Sequence, residues 1–157
     1  MKNETYENRG LASFSLYNIA FTVSSMDKSI KWYGDIFGFK LISRTTFSVP
    51  AGSVEAAIIE RGGLRLELLE VPNAERIDAL FAEVPLHLNV IGNKAIVLQV
   101  DDIAIATREL EEKGVTLVWR EQYLVGDKML CTMIQDVDGN KINIFQTDTL
   151  IGAEDSN

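Results

Sequence analysis

Few residues in this chain are equipped for chemistry. Glu67 lies in the run L-R-L-E-L-L-E, where strand alternation puts it with Arg65 and Leu69 on one face and Leu64, Leu66 and Leu68 on the other. The same period-two reading groups Asn18, Ala20 and Thr22 in a first strand, Ala95, Val97 and Gln99 in a later one, and Lys141, Asn143 and Phe145 in the last. In such company Glu67 can act as a general base if burial raises its pKa, or accept a hydrogen bond from a ligand hydroxyl or ammonium. It can equally pair with Arg65 or Lys141, or accept amide hydrogens from Asn18 and Asn143, as a structural cluster. No Ser-His-Asp set, Gly-rich phosphate cradle or zinc-cysteine spacing is present. The one histidine, His87, reads as a surface or hinge residue. The one cysteine, Cys131, forbids an internal disulfide and reads as a small buried hydrophobe in a strand.

The elements that must position these side chains follow from the pattern. Phe14 to Val23 is expected as a strand, with Ile19, Phe21 and Val23 turned under a helix. Ser24 and Ser25 offer caps for that helix, its apolar positions Met26, Ile30, Tyr33 and Phe37 share one face, and Gly38 stops it. Strands are expected over Lys40 to Val49, Val54 to Glu60 and Leu64 to Glu70, with turns at Pro50–Ser53 and Arg61–Gly63. Asn73 to Phe81 is expected as a short linker helix capped by Asn73. The pattern then replays: strand Lys94 to Val100, acceptors at Asp101 and Asp102, helix Ile103 to Lys113 ending at Gly114, and strands Val115 to Trp119, Lys128 to Gln135 and Lys141 to Gln146. Ala95 follows Asn18 by 77 residues, Gly114 follows Gly38 by 76 and Gly139 follows Gly63 by 76, so one βαβββ module is used twice.

The fold class is therefore α+β. Residues 1–13 are expected as a flexible N-terminal segment, 14–147 as a single domain (module one 14–71, linker 72–93, module two 94–147) and 148–157 as a flexible acidic tail. The length of 157 residues suits one domain with a substantial core. A net charge of −8 with no Lys/Arg cluster argues against nucleic acid, and favours a cationic or neutral ligand over an anionic one. No apolar run is long enough to span a membrane, and no signal-peptide pattern opens the chain. A cytoplasmic location is the expectation.

The stretches N-I-A-F-T-V-S-S-M-D-K-S-I-K-W-Y-G-D-I-F-G-F at 18–39, L-R-L-E-L-L-E-V-P at 64–72, V-D-D-I at 100–103 and D-V-D-G-N-K-I-N-I-F-Q at 136–146 together resemble the vicinal oxygen chelate superfamily, the glyoxalase/bleomycin resistance/dioxygenase fold. The resemblance implies two tandem βαβββ modules forming a curved mixed sheet around a small-molecule cavity, and often a homodimer. It also implies a divalent metal held from four strand positions, typically by His or Gln, Glu, His and Glu. Here those positions are Asn18, Glu67, Ala95 and Asn143, of which only Glu67 is a strong ligand. The expectation is thus a degenerate metal site with no metal and no cofactor, binding a small organic ligand through Asn18, Thr22, Arg65, Glu67, Gln99, Asn143 and Phe145. The alternative is an isomerase, lyase or cyclase with Glu67 as its catalytic residue, with or without a weakly held divalent ion.

Overall fold

The computed structural model describes residues 10–152, so the expectations for 1–9 and 153–157 lie outside the described residues. Module one comprises β1 (Ile19–Thr22), α1 (Met26–Phe37), β2 (Lys40–Val49), β3 (Gly52–Arg61) and β4 (Leu64–Glu70). Module two repeats it with β5 (Ala95–Val100), α2 (Ile103–Glu112), β6 (Leu117–Val125), β7 (Lys128–Gln135) and β8 (Lys141–Gln146). Each forms a four-stranded mixed sheet, ordered β1-β4-β3-β2 and β5-β8-β7-β6, with the first strand of the module parallel to its last. The internal register repeats as well. Ala20 pairs with Glu67 and Val97 with Asn143 at equivalent places in the two parallel ladders.

Local chemistry explains both helices. Ser25 is the N-cap of α1 and accepts from Lys28 N, while Glu70 Oε2 takes the Met26 N–H at 2.5 Å, so two of the orphan donors of the first turn are satisfied. Gly38 closes the helix at φ 75°, a left-handed conformation that a side chain would strain, with its N–H on Gly34 O and that of Phe39 on Tyr33 O. Asp102 caps α2 through Ile105 N. At the far end of α2, Lys113 Nζ donates to the carbonyls of Asp35 and Ile36, placing a cation on the negative end of α1 and tying the modules together.

The apolar faces of both sheets meet in one core. Val23, Tyr33, Phe39, Ala57, Ile59, Leu66 and Leu68 of module one join Ile103, Leu110, Ile134, Ile142 and Ile144 of module two, with Ile19, Phe21, Ile96 and Leu98 packed against them. This is the face that alternation assigned to helix packing. Cys131 is buried in β7, and burial pushes its thiol pKa up, as the sequence reading expects of a small core hydrophobe.

Several expectations need correction. The first strand is shorter than Phe14 to Val23, because its partner β4 reaches only from Ile19↔Leu66 to Thr22↔Leu69; Phe14 and Leu16 are exposed. The linker contains no α-helix capped by Asn73. That residue has φ 58° in a turn, and the only regular structure nearby is a 3-10 turn at Asp78–Phe81, followed by another at Leu86–Asn89. Strand β6 runs on past Trp119 to Val125, through register shifts that carry the polar residues Arg120 to Gln122.

Candidate functional site

Glu67 is half-buried in the middle of β4, and its Oε2 accepts a hydrogen bond from Asn18 Nδ2 at 3.2 Å. Of the structural alternatives for Glu67, the structure has acceptance from the Asn18 amide rather than pairing with Arg65 or Lys141. Arg65 Nε donates to Glu60 on β3 at 2.5 Å, and its guanidinium lies 5.5 Å from the Tyr17 ring centroid. Asn143, at the place in module two equivalent to Glu67, has its Oδ1 buried without a hydrogen-bond partner. Phe145 is 3% exposed and belongs to the floor of the face, with Gln99 beside it in register and exposed. Thr22 is exposed and lines a small cleft of about 100 Å3 with Arg76, Phe81 and Asp138. The structure therefore joins Asn18 to Glu67 and Gln99 to Phe145, and leaves Arg65 and Thr22 turned to other partners.

The four positions implied for a metal do not fit one. Ala95 has no donor atom, and Asn18 turns its amide nitrogen, not its oxygen, toward Glu67. Asn143 offers a neutral carbonyl oxygen. Among the described residues no group of three or more His, Cys, Asp or Glu could hold a metal ion. One carboxylate and two amide positions supply too little charge and softness for the transition metals.

Two larger clefts flank this face. The first, about 520 Å3, is lined by Val23, Ser24, Glu55, Glu70 and Asn73, among others. Its carboxylates are occupied: Glu55 pairs with Arg44, and Glu70 caps α1. The second, about 280 Å3, lies between the modules, where Ile19, Ala20 and Phe21 face Lys94, Ala95, Ile96, Asn140 and Lys141. Neither is lined by Glu67 or Asn143.

Sequence reasoning missed the linker's part in this region. His87 is 4% exposed rather than on the surface, and its Nδ1 is buried without a partner. Its carbonyl and that of Val90 accept from Lys94 Nζ. Burial, with Lys141 and Lys94 nearby, lowers the imidazole pKa below its ordinary 6.5. The unfolded chain then takes up a proton near that value while the folded chain resists it. This contribution to stability is complete above pH 6.5 and is lost as pH falls toward the folded-state pKa. Urea unfolding between pH 7.5 and 5.5 should show a decline of at most about 1.4 kcal/mol per pH unit from this group. His87→Gln should remove that part of the slope; an unchanged slope would count against it.

The family model described as Glyoxalase/Bleomycin resistance protein/Dioxygenase superfamily matches residues 15–144. A glyoxalase family protein from Bacillus cereus is 23% identical, with 87% of this chain and 97% of that one covered at a TM-score of 0.63. A variant of glyoxalase I from Zea mays is 20% identical over 82% of this chain and aligns at 0.61, but this chain spans only 43% of the plant protein. A genomically encoded fosfomycin resistance protein from Listeria monocytogenes is 14% identical, covers 84% and 92% of the two chains, and aligns at 0.59. No curated protein matches the sequence. At these identities the solved structures speak for the fold alone.

Proposed function

Because the chain belongs to the glyoxalase/bleomycin resistance protein/dioxygenase superfamily, we propose that it binds a small organic ligand on the strand face carrying Asn18, Glu67 and Asn143, without a metal. The observation that carries this reading is the Asn18–Glu67 hydrogen bond, which spends an amide donor on the one strong ligand of the expected metal set. At the equivalent place in module two, Asn143 keeps an unused acceptor. A buried polar atom without a partner costs free energy unless something else supplies a donor. A ligand hydroxyl, amide or ammonium would do so, with Glu67 as the second, charged acceptor.

Glu67→Gln keeps the shape and the hydrogen bond from Asn18 while removing the charge. In a fragment screen read by amide NMR shifts, hits carrying a hydroxyl or ammonium should perturb the signals of Asn18, Glu67 and Asn143. The substitution should weaken those hits by about tenfold, the scale of one charge-assisted hydrogen bond. Hits that never touch these residues, or bind the variant equally well, would remove the proposal. Metal independence has its own test: zinc, manganese or magnesium should each shift the unfolding temperature by less than about 1 °C, and near-stoichiometric metal in untagged protein would overturn it. If a substrate is found, turnover abolished in Glu67→Gln with binding retained would favour the enzyme reading, with Glu67 as general base.

A further inference from the structure

Lys141 opens β8 on the same face as Asn143, yet it is only 4% exposed. Lysine is among the residue types least often found fully buried without a partner. Among the described residues Lys141 enters no ion pair, and its Nζ makes one hydrogen bond, to Gly139 O at 3.5 Å. The nearest carboxylate to influence it is Asp136, which is already surrounded by donors from Tyr33, Asp138 and Asn140. Beside it stand the charges of Arg76, itself 3.7 Å from Asp78 Oδ1, and of Lys94. Arg76 acts on Lys141 from the linker, held by Asp138 O at 2.6 Å and lying over the Phe81 ring, and Lys94 lines the same cleft. The unpartnered Nδ1 of His87 belongs to the same group.

We propose that the 280 Å3 cleft between the modules is an oxyanion subsite in which Lys141 receives the carboxylate of a small organic acid, with Ile19, Phe21 and Ile96 against the ligand's apolar part. The net charge of −8 points toward cationic ligands, but at physiological salt fields fade over about 8 Å, so the local grouping decides what binds here. A buried ammonium without a carboxylate is costly to keep, and a ligand that supplies one makes the arrangement favourable. The volume of about 280 Å3 is that of a compact ligand. This inference goes beyond the strand-face reading: Lys141 shares a face with Asn143, but the cleft is lined by neither Asn143 nor Glu67, so it is a further subsite with its own class of ligand.

The test uses benzoate and its uncharged counterpart benzamide as probes of the full chain, at neutral pH and 0.15 M salt, followed by amide NMR. Benzoate should move the signals of Ala95, Ile96, Asn140 and Lys141 and bind at least tenfold tighter than benzamide. Lys141→Met should bring benzoate down to the affinity of benzamide while raising the unfolding temperature by about 3 °C, because it replaces a buried unpaired charge with an apolar chain of similar length. A lysine kept for structure would instead lower that temperature when removed, and this result would overturn the proposal. Equal affinity for the two probes, shifts confined to other residues, or no binding would overturn it too. If both probes bound equally at Asn18, Glu67 and Asn143, the acid class would fall and the strand-face reading would stand.

Discussion

Replacing Asp136 with alanine should lower stability by about 4 kcal/mol and the unfolding temperature by about 12 °C. The carboxylate is 8% exposed and accepts four hydrogen bonds. Oδ2 receives Tyr33 Oη at 2.7 Å and Asn140 Nδ2 at 2.9 Å; Oδ1 receives the backbone N–H groups of Asp138 and Asn140, each at 2.9 Å. Alanine would leave the Tyr33 hydroxyl, buried in the shared core, with no acceptor, and would loosen the turn between β7 and β8 at the same time. Tyr33 cannot compensate by ionising: burial, the largest of the effects that raise its pKa in the native chain and one that the substitution leaves in place, disfavours the phenolate. Tyr33→Phe should cost only about 1.5 kcal/mol, since it removes the donor along with its need for a partner. In the double variant the two losses should overlap by more than 1 kcal/mol, the sign of direct coupling across the module boundary. Strict additivity in urea unfolding would show that the two groups do not act together.

This contact also marks what the sequence can and cannot disclose. The D-V-D-G-N stretch was readable as a tight turn, because Asp and Gly favour one and Gly139 takes φ 89° there. That Asp136 reaches back to a tyrosine 103 positions earlier was not readable, since no local pattern encodes such a pairing. The linker failed for a related reason. Residues 72–93 offered only the pattern of a short helix that the chain does not form, so neither the burial of His87 nor the approach of Arg76 to Lys141 could be inferred before the chain was folded. In β6 the obstacle was local: Glu121 has φ 46° within the second of two register shifts, between Trp119 and Gln122, which breaks the alternation on which a strand reading depends. Asn18 with Glu67 was found because two regular strands in a repeated module fix their register, and register alone determines which side chains share a face.

That dependence on phase gives the second large effect. Leu68→Ala should cost about 3 kcal/mol, whereas Leu69→Ala, one residue along the same strand, should cost about 1 kcal/mol. Leu68 is 0% exposed and lies between Phe21 on β1 and Ala57 on β3, beneath the helices. Alanine there removes three carbons and leaves a cavity that Ala57 is too small to fill, so both the lost transfer energy and the void contribute. Leu69 is half-buried on the opposite face, beside Ala56 and Thr22, where neighbours can close over the gap or water can enter it. The difference of about 2 kcal/mol between adjacent leucines is the energetic form of strand alternation, and urea unfolding with unchanged m-values would measure it directly. Equal costs would mean that the face carrying Glu67 is packed as tightly as the core. The ligand site proposed on that face would then have no room, so this pair of substitutions tests the site as well as the fold.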